Sequence, residues 1–137
     1  MLPHYSALKV AEQFRVLEAI APGRIDLGVG RAPGSDRLTA MALNPHSNAH
    51  EEFPGQVRDL RAWVSGAALP AAHPFRRIIA HPRGPTTPQL WILGSSDYGA
   101  QLAARLELEE VVINTWTYDP AARAHSCELL AVALGCS

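Results

Sequence analysis

Gly23-Arg24-Ile25-Asp26-Leu27-Gly28-Val29-Gly30-Arg31-Ala32-Pro33-Gly34 is the stretch whose reading decides the fold. Pro22-Gly23 stops a preceding helix, and Ile25, Leu27 and Val29 then form a short apolar run that reads as a buried strand over Arg24 to Val29. The strand breaks into a glycine- and proline-rich loop that carries one arginine. Parallel α/β proteins place their ligands at such C-terminal strand ends. Glycines there let the backbone approach a ligand, and Arg31 can meet a phosphate through a bidentate fork. The same residues also suit an ordinary βα turn whose arginine faces water, so the stretch alone leaves both readings open.

Upstream, Met1 to Tyr5 reads as a short loop, because Pro3 argues against a helix. Ser6 can cap a helix running to about Ala21, with Val10, Phe14 and Leu17 as its apolar stripe and Ala11, Glu18 and Lys9 around them. Downstream, Ser35 to Leu43 predicts a short helix with Asp36 near its start, and Asn44 to His50 a turn. A second amphipathic helix spans about Glu51 to Val64: Phe53, Val57, Leu60 and Val64 share one face, Trp63 lies beside them, and Glu51 and Glu52 suit the N-terminus. Residues 65–88 contain Pro70, Pro74, Pro82, Pro85 and Pro88, a long connection that predicts either a functional loop or poor order, with Ile78-Ile79 as a short edge strand.

The pattern then repeats. Leu90-Trp91-Ile92-Leu93 reads as a strand buried on both faces, Gly94-Ser95-Ser96 as a turn, and Asp97 to Leu106 as a helix. The N–H groups of that helix start, with two hydroxyls nearby, suit an anion; a plain serine-capped helix is the alternative. Val111 to Trp116 predicts a third strand, and Asp119-Pro120 starts a last helix to about Leu134, stopped by Gly135. Three strands, each followed by a helical pattern, predict an α/β fold with parallel strands.

Composition narrows the function. A chain of 137 residues predicts one domain, and a net charge of −1 from 12 basic and 13 acidic residues gives no pull toward nucleic acid or anionic membrane. The chain lacks an apolar run of about 18 residues and a basic-then-apolar start, which predicts a soluble, cytoplasmic protein. Cys127 and Cys136 are too few for a disulfide framework, and Cys127 reads as a small apolar filler in a helix. His46 and His50 are four apart but sit among turn residues with no third ligand placed, so no metal is expected. No GxSxG elbow or Walker lysine follows a strand, and the glycine loop misses the GxGxxG spacing by one residue.

Three blocks resemble the bacterial luciferase-like monooxygenase family: Leu2 to Gln13 together with Pro22 to Gly34, Trp91-Ile92-Leu93-Gly94-Ser95-Ser96 with its Ala-rich helix, and Val111 to Leu134 with Thr115-Trp116-Thr117 and Asp119-Pro120. The resemblance implies parallel βα units of a (β/α)8 TIM barrel, and an oxidoreductase that uses reduced FMN or a related flavin and O2 on a small organic substrate. By the same resemblance, Arg31 matches an arginine on the flavin phosphate, and Gly30 lies where the family's strand approaches the isoalloxazine ring. Gly94 and Ser95 match backbone and hydroxyl phosphate contacts, with Ser96 and Tyr98 near them. No catalytic side chain is assigned.

The chain also departs from the family. It is less than half the family's length, starts where the family's third strand is ending, and lacks a counterpart to the Glu-His-His stretch with its catalytic histidine. After Ala104-Arg105-Leu106 it passes toward the last strand, omitting about two strand–helix units of the eight that close a barrel. It is therefore expected to be a single partial domain over residues 1–137, truncated or internally deleted. Two functions stay open: a flavin-dependent monooxygenase, and a non-catalytic remnant that binds flavin or phosphate or only assembles. Uncovered sheet edges and helix faces predict a homo-oligomer.

Overall fold

A helix stopped by glycine leads into the first strand. The computed structural model describes residues 1–32, 36–45, 49–94, 97–106, 111–113 and 118–133, and the chain divides into two compact units, residues 1–91 and 92–137. The first unit holds helix α1 (Ala7–Ile20), strand β1 (Asp26–Gly30), helix α2 (Arg37–Leu43), helix α3 (Ala49–Ser65) and the first half of strand β2 (Gln89–Gly94). The second holds the rest of β2, helix α4 (Asp97–Arg105), strand β3 (Val111–Ile113) and helix α5 (Pro120–Ala133).

The chain opens with a 3-10 turn at Leu2–His4 where a loop was expected. Pro3 does not prevent it, because a proline in a first helical turn loses only an N–H that has no partner there. Ser6 occupies the N-cap of α1 without a side-chain capping bond. At the other end the Ala21 N–H still donates to the Leu17 carbonyl, and Gly23 takes a φ of +71° that other residues rarely adopt.

The core joins α1 to α3. Phe53, Val57, Leu60, Trp63 and Val64 of α3 are buried, as are Val10 and the small Ala7 and Ala11 of α1, which let the two helices pack together. Full burial of an aliphatic or aromatic side chain of this size contributes about 1.5–3 kcal/mol. The helix begins at Ala49, so His50, expected in a turn, is helical, while Glu51 and Glu52 keep their favourable place in the first turn. Asp36, expected near the start of α2, is its N-cap: its carboxylate accepts from the Leu38 and Thr39 N–H groups at 2.9 and 3.1 Å.

The buried face of α1 differs from its apolar stripe. Leu17 is 44 % exposed and Phe14 half-buried, while Arg15 and Glu18 are each only 4 % exposed. They are buried because backbone groups need them. Arg15 donates through Nη1 to the Val64 carbonyl, in the last turn of α3 where carbonyls lack helical partners, and through Nε to the Pro82 carbonyl. A cation is also favoured at a helix C-terminus. Glu18 accepts from the Gly23 N–H at 2.6 Å, holding the turn that leads into β1.

Residues 66–88 form a series of turns fastened to the helices. The Trp63 indole donates to the Ile78 carbonyl at 3.2 Å, and His73 Nε2 lies 3.3 Å from Asp59 of α3. Because His73 Nδ1 accepts from the Phe75 N–H, the neutral ring carries its proton on Nε2, where it donates to Asp59. Ile78-Ile79 is not a strand: both residues are half-exposed, and the backbone is engaged in turns such as Ile78 N–H to Phe75 carbonyl.

At the start of β2 the Gln89 N–H donates to the Ile25 carbonyl at 3.1 Å, and the Trp91 indole donates to Asp26 at 3.2 Å. The strands are ordered β1-β2-β3. β2 alternates: Leu90 and Ile92 are buried, Trp91 is half-buried, and Leu93 is 47 % exposed. The expectation of burial on both faces fails because an apolar run records what a strand could bury, while period-two geometry delivers only one face to the described core.

In the second unit, β2 pairs parallel with β3, Ile92 opposite Val111 and Gly94 opposite Ile113, and α4 connects them and packs by β3. The remainder of the predicted third strand, Asn114 to Trp116, lies outside the described residues, as do Leu134, Gly135 and Cys136. Asp119 caps α5 by accepting from the Ala121 N–H at 2.9 Å, with Pro120 as the first helical residue. Cys127 is exposed rather than filling a core, and Leu129 and Val132 are exposed with it, so α5 buries little against the described residues.

The Gly23 N–H, ahead of the Thr86 side chain, holds the Glu18 carboxyl below its ordinary value of 4.5, and the Thr39 hydroxyl and N–H do the same for Asp36 below 3.8. Unfolding therefore takes up protons at low pH. The stability these groups contribute is complete above 4.5 and 3.8 and is lost as pH falls below them. Urea unfolding across a pH series is expected to show this loss, with a shallower pH dependence in Glu18→Gln.

Candidate functional site

The expected ligand-contact residues lie at the C-terminal ends of two strands. In the first unit, Leu27 and Val29 anchor β1 by burial, Gly30 is its buried last residue, and Arg31 follows at once with a half-buried side chain that is already engaged in an interaction. The strand therefore presents a guanidinium where it stops. Pro33 and Gly34 lie outside the described residues.

In the second unit, β2 ends at Gly94 and α4 begins at Asp97. Ser95 and Ser96, between them in the chain, lie outside the described residues. Tyr98 is in the first turn of α4, half-buried and engaged. Gly94 and Gly99 bring the helix start onto the strand end: a Cβ on Gly94 would stand 3.5 Å from the Gly99 Cα, and one on Gly99 would stand 3.8 Å from Ile92 Cγ2. The first N–H groups of a helix lack helical partners and carry its positive dipole end. The donor types, a guanidinium in one unit and a helix N-terminus in the other, both suit an anion such as a flavin phosphate.

Two other features went unread in the sequence. A mostly apolar cavity of about 170 Å³ lies between α1 and β1, lined by Leu2, Val10, Phe14, Leu27 and Val29 among others; neither Gly30 nor Arg31 lines it. A second, of about 190 Å³, is lined by the buried Arg15 and Glu18. Their signal in the sequence was two ionisable residues three apart on a helix face otherwise made of Ala7, Val10 and Ala11. Among the described residues, no group of three or more His, Cys, Asp or Glu side chains could hold a metal ion. His46 lies outside them.

Against these features, comparison with known proteins is decisive for class. The profile of the luciferase-like monooxygenase family matches residues 1–130, and the chain belongs to that family. A luciferase-like monooxygenase of Escherichia coli (strain K12) is 49% identical over 109 residues, covering 79% of this chain and 31% of that protein. The N-acetyl-S-alkylcysteine monooxygenase of Bacillus subtilis (strain 168) is 39% identical over 112 residues, 81% of this chain and 33% of the relative. Among solved structures, apo-MsnO8 matches with a TM-score of 0.66 and 38% identity, over 79% of this chain and 31% of that one. The fold is therefore α/β, its parallel βα units corresponding to part of a (β/α)8 barrel. The chain spans about a third of the length of the curated relatives it matches, 31% for the first of them. No helix among the described residues is long and apolar enough to cross a membrane.

Because an added Cβ at Gly94 meets only ordinary van der Waals contact, Gly94→Ala is expected to fold with a stability change below about 1 kcal/mol. Thermal unfolding checks this, and makes the variant a clean probe of ligand approach at that strand end.

Proposed function

We propose that this chain carries the flavin-binding part of a flavin-dependent monooxygenase, with Gly30, Arg31, Gly94, Ser95, Ser96 and Tyr98 contacting reduced FMN. The observation that carries this reading is the family match over residues 1–130, which includes both strand ends. When bound, reduced flavin supplies the two electrons with which one oxygen atom of O2 enters the substrate and the other leaves as water. The chain's own part is to bind and orient: Arg31 neutralises phosphate charge, the α4 N-terminus donates N–H groups, and Gly30 and Gly94 keep side-chain bulk away from the ligand. The substrate is a small organic molecule, and the relative named for N-acetyl-S-alkylcysteine makes such thioethers the first to test.

Titration of the purified chain with oxidised and then reduced FMN, followed by fluorescence and absorbance, tests this. Saturable one-to-one binding is expected. Loss of a charge-assisted bond in Arg31→Ala should weaken it about ten- to a hundredfold. An unchanged affinity would remove Arg31 from the phosphate. Binding without oxygen consumption on any substrate would instead indicate a non-catalytic flavin-binding remnant.

The reading also includes a cytoplasmic protein that self-associates. Leu38 and Met41 of α2 and Leu129 and Val132 of α5 are exposed apolar side chains that a second copy could cover. Light scattering at micromolar concentration should give a mass at least twice the 14.8 kDa of one chain; a monomer mass would count against association.

A further inference from the structure

Trp91 is a large side chain beside a row of small ones. The Gln89 N–H donates to the Ile25 carbonyl at 3.1 Å, and in a parallel ladder that bond sets Gln89 beside Asp26 and Trp91 beside Gly28. Burial agrees: Leu27 and Leu90, paired in this register, are both buried, whereas Asp26 and Gln89 are both exposed. Residues two apart on a strand share a face, so Asp26, Gly28 and Gly30 lie on one side of β1 and Leu27 and Val29 on the other. Leu27 and Val29 line a cavity with Val10 and Phe14 of α1, which makes theirs the helix side. The opposite side, in a (β/α)8 barrel, is the barrel interior.

On that interior side Asp26 is the one side chain of β1, because Gly28 and Gly30 have none. Trp91 of β2 reaches across to it: the indole Nε1–H donates to Asp26 Oδ1 at 3.2 Å, in a bond open to solvent. Since Trp91 stands beside Gly28, a bond to Asp26 draws its ring back toward the start of the strands. The glycine row nearer the strand end is left bare, with a half-buried aromatic ring beneath it. All these residues belong to the first unit, as does Arg31 at the strand end.

We propose that Trp91 is the floor of the flavin site, the isoalloxazine ring resting on its indole while Asp26 holds that indole in place. The inference rests on the flavin reading above and adds to it a contact that the strand ends alone do not supply. Aromatic rings in offset or edge-to-face contact attract one another beyond the area they bury. A ring already fixed by a hydrogen bond also loses little rotamer freedom when a ligand arrives.

Titration of the full chain with oxidised FMN tests this through the flavin's own emission. An indole in van der Waals contact quenches an excited flavin by lending it an electron that returns at once; a phenyl ring, harder to oxidise, does not. Bound FMN should therefore lose its emission in the unaltered chain. Trp91→Phe keeps an aromatic ring, and should bind FMN within about twofold of the unaltered chain while restoring the emission of the bound flavin. Trp91→Leu removes the ring and, where circular dichroism shows it folded, should weaken FMN about two- to tenfold. Equilibrium dialysis measures these affinities without relying on fluorescence, and so separates the two readings. FMN that binds but keeps its emission in the unaltered chain, or stays quenched in Trp91→Phe, overturns the floor and leaves the flavin site standing. No FMN bound to the unaltered chain overturns both.

Discussion

The first unit depends on a buried guanidinium. Burying a charge costs several kcal/mol unless polar partners surround it. Arg15 meets that cost by donating to the Val64 carbonyl at the end of α3 and to the Pro82 carbonyl in the turns before β2. Glu18, one helical turn on, holds the Gly23 N–H where the chain turns into β1. One pair of side chains on α1 therefore fixes the end of another helix, a long segment without regular structure, and the entry to a strand. Residues 66–88 keep their place through such specific bonds, with Trp63 and Asp59 of α3 supplying the others.

This fastening acts where the strands begin, and the residues with ligand chemistry lie where they end. Gly23 and Thr86 precede β1 and β2; Gly30 and Gly94 are the last residues of the same two strands. Barrel folds separate stability from binding in this way, since loops after the strands can vary while the other end is packed. The division explains why Gly30 and Gly94 can lack side chains without weakening the core: Leu27 and Val29 hold β1, and Leu90 and Ile92 hold β2.

Much of this was legible in the sequence wherever the signal is local. The glycine stop at Gly23, the place of Asp36 at the start of α2, the Asp119 cap, and the 4-3-4 spacing of Phe53, Val57, Leu60 and Val64 each depend on neighbours within a turn or two, and the structure has them as read. The placement of Gly30, Arg31 and Gly94 at strand ends was legible for the same reason. Arg15 was not, because its partners are the carbonyls of Val64 and Pro82, and no periodicity encodes a backbone group 49 or 67 residues away; Glu18 was not, because its partner is the backbone N–H of Gly23, which side-chain periodicity does not record.

By itself, the sequence determined the family, the alternation of helices with strands, and the residue types available at each strand end, since these follow from spacing and composition along the chain. The tertiary structure decided which faces are buried. Leu17, Leu93, Ile78, Ile79 and Cys127 are apolar yet exposed to differing degrees, while Arg15 and Glu18 are charged yet buried. Hydrophobicity measures only what a residue gains if it is covered. Whether it is covered depends on which surface arrives opposite it, and for α1 that surface carried polar backbone groups that the Arg15 guanidinium and the Glu18 carboxylate satisfy.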